Sequence, residues 1–432
     1  MNTRRPVVAL AALGTALMSL VAAPAHAATV TLTVWDAGLV GHIDNGVLNP
    51  RTSWIYQMAR GFEKANPGVK VKISELDGSV ADTQFRAASI AGNGPDIRFG
   101  FAGGNMLSFA QFLQPLDPYF KPAELRKIKG VITNRAGYKS NGPLLALPIG
   151  AGSYFYVFYN KKITSAHNID MSKPPTTWED FLALAKRMKA AGIQTPIWET
   201  NQEGYTGAWV IASLAGGLLG PNAFADMYSG KTTIISPAMV KAYTAYRELY
   251  TSGVTNPDAT SRSNGDRLSG FLSGNAAMII DGAWDNQPVY QGLGSDAGQF
   301  PIPTLRGSKY PGILAGGPNV AVGVTKYSKN KAMAVKFLKY MVGAPQLDKY
   351  VQISQTEASN NVNANPKLIT NPLLRQQASD VAKRLQVYPF DNIMPGPVID
   401  LFYRLNAAVA LGQVSPSEAV LELGNTFEST PK

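Results

Sequence analysis

Thr29-Val30-Thr31-Leu32-Thr33-Val34-Trp35 alternates apolar with polar residues, and Val69-Lys70-Val71-Lys72-Ile73 does the same further on. A period of two predicts a strand in each place. Between them a loop rich in Gly, Asn and Pro runs to Asn49-Pro50. Residues 53–65 follow, where Ile55, Met58, Ala59 and Phe62 recur at helical spacing until Asn66-Pro67-Gly68 stops the helix. Strand, helix and strand in this order form a βαβ unit, which implies parallel strands and a right-handed crossover.

The same alternation continues outward. A helix over 81–91 leads into the strand Gly94-Pro95-Asp96-Ile97-Arg98-Phe99, and residues 144–149 and 154–159 read as extended. Thr177 and Asp180 are spaced as a capping box for a helix that Gly192 ends. Helices are expected over 237–252, over 397–411, and up to Met341 with Ser328 as the cap; Ala276-Ala277-Met278-Ile279-Ile280 reads as a short buried strand. The chain shows no internal repeat and no low-complexity tract. The expected class is α/β, with parallel-rich sheets flanked by helices. A length of 432 residues exceeds one ordinary core and favours two lobes. Gly150-Ala151-Gly152-Ser153 and the stretch from Ala315 to Ala321 are small and flexible enough to carry the chain between lobes, and equally suit ordinary glycine turns.

Composition narrows the function. Hydrophobic residues are 45% and charged residues 16%, the balance of a soluble globular protein. No cysteine is present, which removes disulfides, thiolate chemistry, Cys-ligated metals and a lipid carried on an N-terminal cysteine. Three histidines, His26, His42 and His167, leave little for a metal centre or a Ser-His-Asp triad, so neither metal nor cofactor is expected. The formal charge of +11 is spread without a block of five like charges, which reads as a solvated basic surface; no nucleic-acid partner is expected. Arg4 and Arg5, an apolar run from Val7 to Val21, and Ala25-His26-Ala27 make residues 1–27 a secretory signal peptide cleaved near Ala27. Its loss lowers the formal charge from +11 to +9. No later run of 18 apolar residues follows, so the expected product is an exported, unanchored protein of a bacterial periplasm.

Six short motifs then occur in order: Phe62-Glu63-Lys64-Ala65-Asn66-Pro67-Gly68-Val69-Lys70-Val71; Gly94-Pro95-Asp96-Ile97; Leu147-Pro148 with Phe158-Tyr159-Asn160-Lys161-Lys162; Pro175-Thr176-Thr177-Trp178-Glu179-Asp180; Phe271-Leu272-Ser273-Gly274-Asn275-Ala276-Ala277-Met278 with Gly282-Ala283-Trp284; and Lys331-Ala332 to Phe337-Leu338. Together they resemble the family 1 extracellular solute-binding proteins of ABC sugar transporters, the family of maltodextrin-binding protein. The resemblance implies a two-lobe periplasmic binding protein (Venus-flytrap) fold with a hinge between the lobes. It implies an N-terminal lobe of 28–150 and roughly 320–365, and a C-terminal lobe of 151–319 and roughly 366–432. It also implies a carbohydrate ligand in the interlobe cleft, an ABC permease at the membrane as partner, a monomer, and no catalysis. A ligand closes such a hinge only by touching both lobes.

A sugar site needs fixed hydrogen-bonding groups and aromatic rings for the pyranose face. Trp35 and Asp36 end the first strand, on the side where carboxyl ends face a binding crevice; the competing reading makes Trp35 core and Asp36 a turn residue. Trp284 lies just beyond a buried strand, flanked by Gly282, with Asp285 as a plausible partner. The resemblance places Asn105 at a first-lobe polar contact, Ser153 and Tyr154 at an interlobe contact, and Glu203, Tyr205 and Trp209 at the second lobe's aromatic cluster. Gly317 and Asn319 could offer backbone groups, and Asp391 could line the cleft beside Tyr388 and Asn392. Asp96 more often orders its own turn, Trp198-Glu199 reads as strand core, and Trp54 and Trp178 read as packing.

Two other ligand or activity classes stay open. The same fold could hold a non-sugar solute such as a phosphorylated polyol or a polyamine; a phosphate would want a cation among the aromatics, and Arg98 is the candidate. A secreted carbohydrate-active enzyme would need two carboxylates across one bond, for which Asp36, Glu203 and Asp285 could be imagined.

Overall fold

The computed structural model describes residues 29–40, 43–44, 47–48, 52–78 and 80–431, together with Met1. The expected signal peptide, His26, His42 and the Asn49-Pro50 turn lie outside the described residues. In chain order the strands are β1 (Val30–Asp36), a small hairpin of β2 (Ile43–Asp44) and β3 (Val47–Leu48), β4 (Val69–Glu75), β5 (Ile97–Phe101), β6 (Leu147–Ile149), β7 (Ser153–Asn160), β8 (Ile197–Trp198), β9 (Met278–Gly282), β10 (Ala297–Pro301), β11 (Leu314–Gly317), β12 (Val320–Val324) and β13 (Gln386–Val387).

Two main sheets result. One is five-stranded, ordered β4-β1-β5-β12-β6; the other is six-stranded, ordered β13-β11-β7-β9-β8 with β10 also on β7. The expected βαβ unit is present: β1 pairs in parallel with β4, Val30 opposite Val69 and Asp36 opposite Glu75. Among the described strands of the first sheet, β12 alone runs against the rest; in the second, β7 alone does. Each reversed strand sits centrally, so all of its neighbours pair with it antiparallel, which sequence periodicity could not show.

The reversal has a geometric cause. β6 belongs to the first sheet, and the chain reaches β7 in the second through Gly150–Gly152 alone. β11 belongs to the second sheet, and Pro318-Asn319 leads to β12 in the first. A strand that enters from the side where the other strands end must run opposite to them. A third passage, residues 355–371, joins the helix Ala344–Ser354, packed on the helix Trp54–Ala65, to the helix Pro372–Lys383, packed beside β10.

Each sheet has its own core. In the first, Trp54, Ile55, Met58, Ala59 and Phe62 form the buried face of their helix, at the spacing the sequence shows, and pack with Leu32, Val34 and Phe337. Trp54 donates its indole N–H to Gln346 O at 2.8 Å. In the second, Trp178 is fully buried and donates to Ala245 O at 3.0 Å. Both tryptophans are packing residues with a satisfied polar tip. Thr177 caps its helix as expected, accepting from Asp180 N at 3.2 Å, and its hydroxyl donates to the Asp180 carboxylate at 2.6 Å. Among the described residues no helix is long and apolar enough to cross a membrane.

Ser328 departs from expectation. The helix Lys331–Met341 has Asn330 at its N-cap, without a side-chain bond. Ser328 is buried and donates instead to Asp96 Oδ1 at 2.5 Å. Asp96 Oδ2 accepts from Thr33 N at 2.8 Å and from the Thr33 hydroxyl at 3.0 Å. One carboxylate therefore joins β1, the entry to β5 and the segment after β12. Asp96→Ala would leave the buried Ser328 hydroxyl and the part-buried donors of Thr33 without an acceptor. An expected loss of about 2–4 kcal/mol in urea unfolding checks this; a loss under about 0.5 kcal/mol would show that water replaces the carboxylate.

Candidate functional site

The carboxyl end of β5, the turn after β9 and the start of β7 converge on a cleft of about 820 Å³, a size typical of small-molecule sites. One wall comes from the first sheet. The helix Ala81–Ile90 supplies Asp82, Thr83 and Arg86; the end of β5 and the turn beyond supply Phe101, Asn105 and Ser108. The facing wall comes from the second sheet and its helices: Phe155, Tyr205, Trp209, Trp284, Asp391, Asp400 and Tyr403. Asn319, in the second passage, closes one side.

The second wall is an aromatic platform. Trp209 and Trp284 meet edge to face at 5.3 Å between centroids, and Phe155 lies 6.0 Å from Trp209 and 6.2 Å from Trp284. Tyr205 and Tyr403 make a second edge-to-face pair at 5.0 Å. Gly282 is what admits Trp284: a Cβ there would stand 2.2 Å from the indole ring. The helix Tyr205–Leu219 carries no charge and is buried on nearly every side, which suits a helix at the centre of a lobe. Its buried position holds the Trp209 ring still.

Behind the platform lies a buried ionic cluster. Arg267, 2% exposed, holds its guanidinium 4.8 Å from the Trp209 ring. It donates to Ile280 O at 2.9 Å, to the Thr206 hydroxyl at 2.7 Å and to Thr200 O, and lies 3.4 Å from Glu199 and 3.9 Å from Asp281. Burial pushes Glu199 and Asp281 upward while Arg267 opposes it. Burial and then the Asp281 charge push Asp285 well above the usual carboxylate range.

The first wall is polar and braced from behind. Arg98 is buried with its guanidinium 4.3 Å from the Phe85 ring and 3.9 Å from Phe109. It pairs with Asp82, and Asn105 donates its amide to the other Asp82 oxygen. Burial draws Arg98 down to about 10, with Asp82 opposing. On the facing wall, Asp391 Oδ2 accepts the Tyr403 hydroxyl at 2.8 Å. Burial pushes Asp391 up, and that hydroxyl pulls it back.

Asn105, Tyr205, Trp209, Trp284, Asn319 and Asp391 thus line the cleft together. The other expected site residues lie elsewhere. Trp35 packs on the Phe85–Phe109 cluster behind the first wall, because a period of two turns it away from Asp36. Asp36 is fully buried and accepts from the Leu39 and Val40 amides at 3.1 Å each, ordering its turn. Ser153 is buried against Glu357, and Tyr154 donates to Gln386 at 2.9 Å. Glu203 is occupied by the Asn264 amide at 3.0 Å, and Asp285 belongs to the buried cluster. Gly317 pairs with Ser153 and packs on the Tyr388 ring. Arg98 stands behind the wall rather than in the cleft; Arg86 is the cation that lines it.

Arg267 was not singled out in sequence. One arginine among Asp266, Arg267 and Leu268 looks like an ordinary surface charge. Arg267→Met would leave Glu199 and Asp281 buried without their cation. Breaking a buried pair on one side costs about 3–5 kcal/mol at neutral pH. The loss should shrink as pH falls toward about 4, the range of an unfolded carboxylate, because burial raises both groups and they take up protons first. Chemical denaturation of the variant at both pH values checks both statements.

Residues 45–347 match the family described as bacterial extracellular solute-binding protein. A multiple sugar-binding protein of Streptococcus mutans is 26% identical over 311 residues, 69% of this chain and 70% of that protein. A solved structure from work on xylan utilization by the thermophilic bacterium Caldanaerobius polysaccharolyticus superposes with a TM-score of 0.79 at 22% identity, covering 92% of this chain and all of that one. A chitin oligosaccharide binding protein follows at 0.78 and 21%, covering 93% and 98%. The fold is therefore that of the periplasmic binding proteins. With the family pattern spanning more than half its length, the chain belongs to the bacterial extracellular solute-binding proteins.

Proposed function

We propose that the protein captures a mono- or oligosaccharide in this cleft and delivers it, unaltered, to the permease of an ABC transporter. The observation that carries the reading is the make-up of the cleft: edge-to-face ring pairs beside Asp391 and Asp400 on one wall, and a carboxylate, an amide, a hydroxyl and a guanidinium on the other. A sugar ring presents C–H faces to the first and hydroxyls to the second. A ligand that fills the cleft touches both sheets, the condition for hinge closure.

The lobes in this reading are 28–150 with roughly 320–365, and 151–319 with roughly 366–432, hinged at the three passages. Pairing of β13 with β11 supports the assignment of the last segment to the second lobe. Export through a signal peptide cleaved near Ala27, and action as a periplasmic monomer, complete the proposal. A phosphorylated ligand is less well served. Among the described residues the cleft offers Asp82, Asp391 and Asp400 against the single cation Arg86.

Calorimetry against a saccharide panel tests the reading. Trp284→Ala should weaken the best ligand by about 30-fold, the loss of an anchor contributing about 2 kcal/mol. Trp35→Ala should leave affinity within about two-fold, since Trp35 packs behind the wall. The ligand should be recovered chemically unchanged; cleavage would make the protein an enzyme, and no binding by any saccharide would end the proposal.

A further inference from the structure

Two of the passages between the sheets meet at one buried carboxyl group, and the other adjoins it through a strand pairing. Glu357, in the third passage, is 3% exposed. Its Oε1 accepts from the Ser153 hydroxyl at 2.7 Å, at the end of the first passage. Ser153 pairs in register with Gly317, where the second passage begins. Its Oε2 is buried with no hydrogen-bond partner and lies against Gly150, where an added Cβ would stand 2.2 Å away.

The surrounding backbone is tight. Ala151 N donates to Ala358 O at 2.7 Å, and Gln377 donates to Gly152 O at 3.1 Å. A Cβ on Gly152, whose φ is +106°, would stand 2.0 Å from Gly317 O. Such contacts hold the backbone close around a carboxyl that is itself buried.

The groups facing Glu357 do not neutralise it. Tyr350 reaches it from the helix Ala344–Ser354, with Asp36 beyond, and Tyr154 faces it from β7. Burial pushes both phenols up, so they stay neutral. No Lys or Arg among the described residues contributes to its ionisation. Burial pushes the carboxyl up to about 7, while the Ser153 hydroxyl and the Gly152 amide pull it back.

We propose that Glu357 is a proton-operated latch of the hinge, packed among the three passages when neutral and favouring their separation when ionised. An ionised carboxylate with one unpartnered oxygen is costly in a buried site. Any rearrangement that admits water there is therefore favoured by ionisation. The inference rests on the reading of the two sheets as hinged lobes and adds a control to the same cleft.

The sign follows from linkage. A carboxyl whose folded-state value is raised stabilises the packed arrangement fully below its ordinary range, and that contribution is lost as pH rises through about 7. The packed hinge should thus dominate in mild acid and loosen as pH approaches neutrality.

The absence of cysteine makes the test direct. Lys70→Cys and Lys231→Cys place fluorophores on exposed positions of the two lobes. Single-molecule energy transfer between them, without ligand, should shift with a midpoint between the ordinary carboxylate range, about 4.5, and about 7, and Glu357→Gln should abolish the shift. Ser153→Ala, which keeps the carboxyl and removes its donor, should raise the midpoint by about one pH unit. This second variant decides the matter if Glu357→Gln does not fold. No shift in the parent pair, an equal shift in Glu357→Gln, or an unmoved midpoint in Ser153→Ala overturns the inference. If a saccharide changes the distance while pH does not, the latch fails and the hinged-lobe reading stands; if neither changes it, both fail.

Discussion

A chain that leaves one sheet at its binding edge must enter the next sheet at that same edge. This constraint explains more of the structure than any single contact. It makes β7 and β12 run against their neighbours, because both arrive from the other sheet. It gathers the carboxyl ends of β5 and β9 and the start of β7 around one cleft. It also demands backbones closer than side chains allow. Gly152 in a left-handed conformation answers that demand, since a Cβ there would overlap the second passage. The passages between the sheets and the cleft are therefore two consequences of one topology rather than separate features.

The two walls are stiffened by the same means. Each sets a buried arginine against aromatic rings and a carboxylate: Arg98 with Phe85, Phe109 and Asp82, and Arg267 with Trp209 and Glu199. Burying a guanidinium is unfavourable unless its donors are satisfied, and Arg267 meets this with backbone and hydroxyl oxygens. What such a cluster supplies is geometry. The rings facing a ligand cannot turn without uncovering a buried charge.

Much of this was legible in the residues. Period two gave β1 and β4, the spacing of Ile55, Met58 and Phe62 gave the first helix, and Gly282 beside Trp284 pointed to a ring pressed against backbone. What failed was direction. Trp35 and Asp36 are adjacent at a strand end, so they face opposite sides, and the helices covering both faces bury each in a different place. Asp82 and Arg86 recur four residues apart on a half-exposed helix, a pattern that commonly marks a solvated face, and only the fold brings them to the cleft. Local patterning encodes elements well. It carries little about which neighbour, distant in sequence, will occupy a given side chain.

Net charge shows the same separation of scales. The chain has 40 basic residues against 29 acidic ones. Among the described residues, however, the cleft holds three carboxylates and one arginine. A solvated surface screens its charges within about 8–10 Å at physiological salt, so the global excess has little effect inside a cleft with its own fixed groups. Asp82 is neutralised from behind by Arg98, and Asp391 is held by the Tyr403 hydroxyl. The site is thus less charged than its composition suggests. It offers acceptors more than net charge, which suits a ligand rich in hydroxyl donors better than a phosphate or a polyamine.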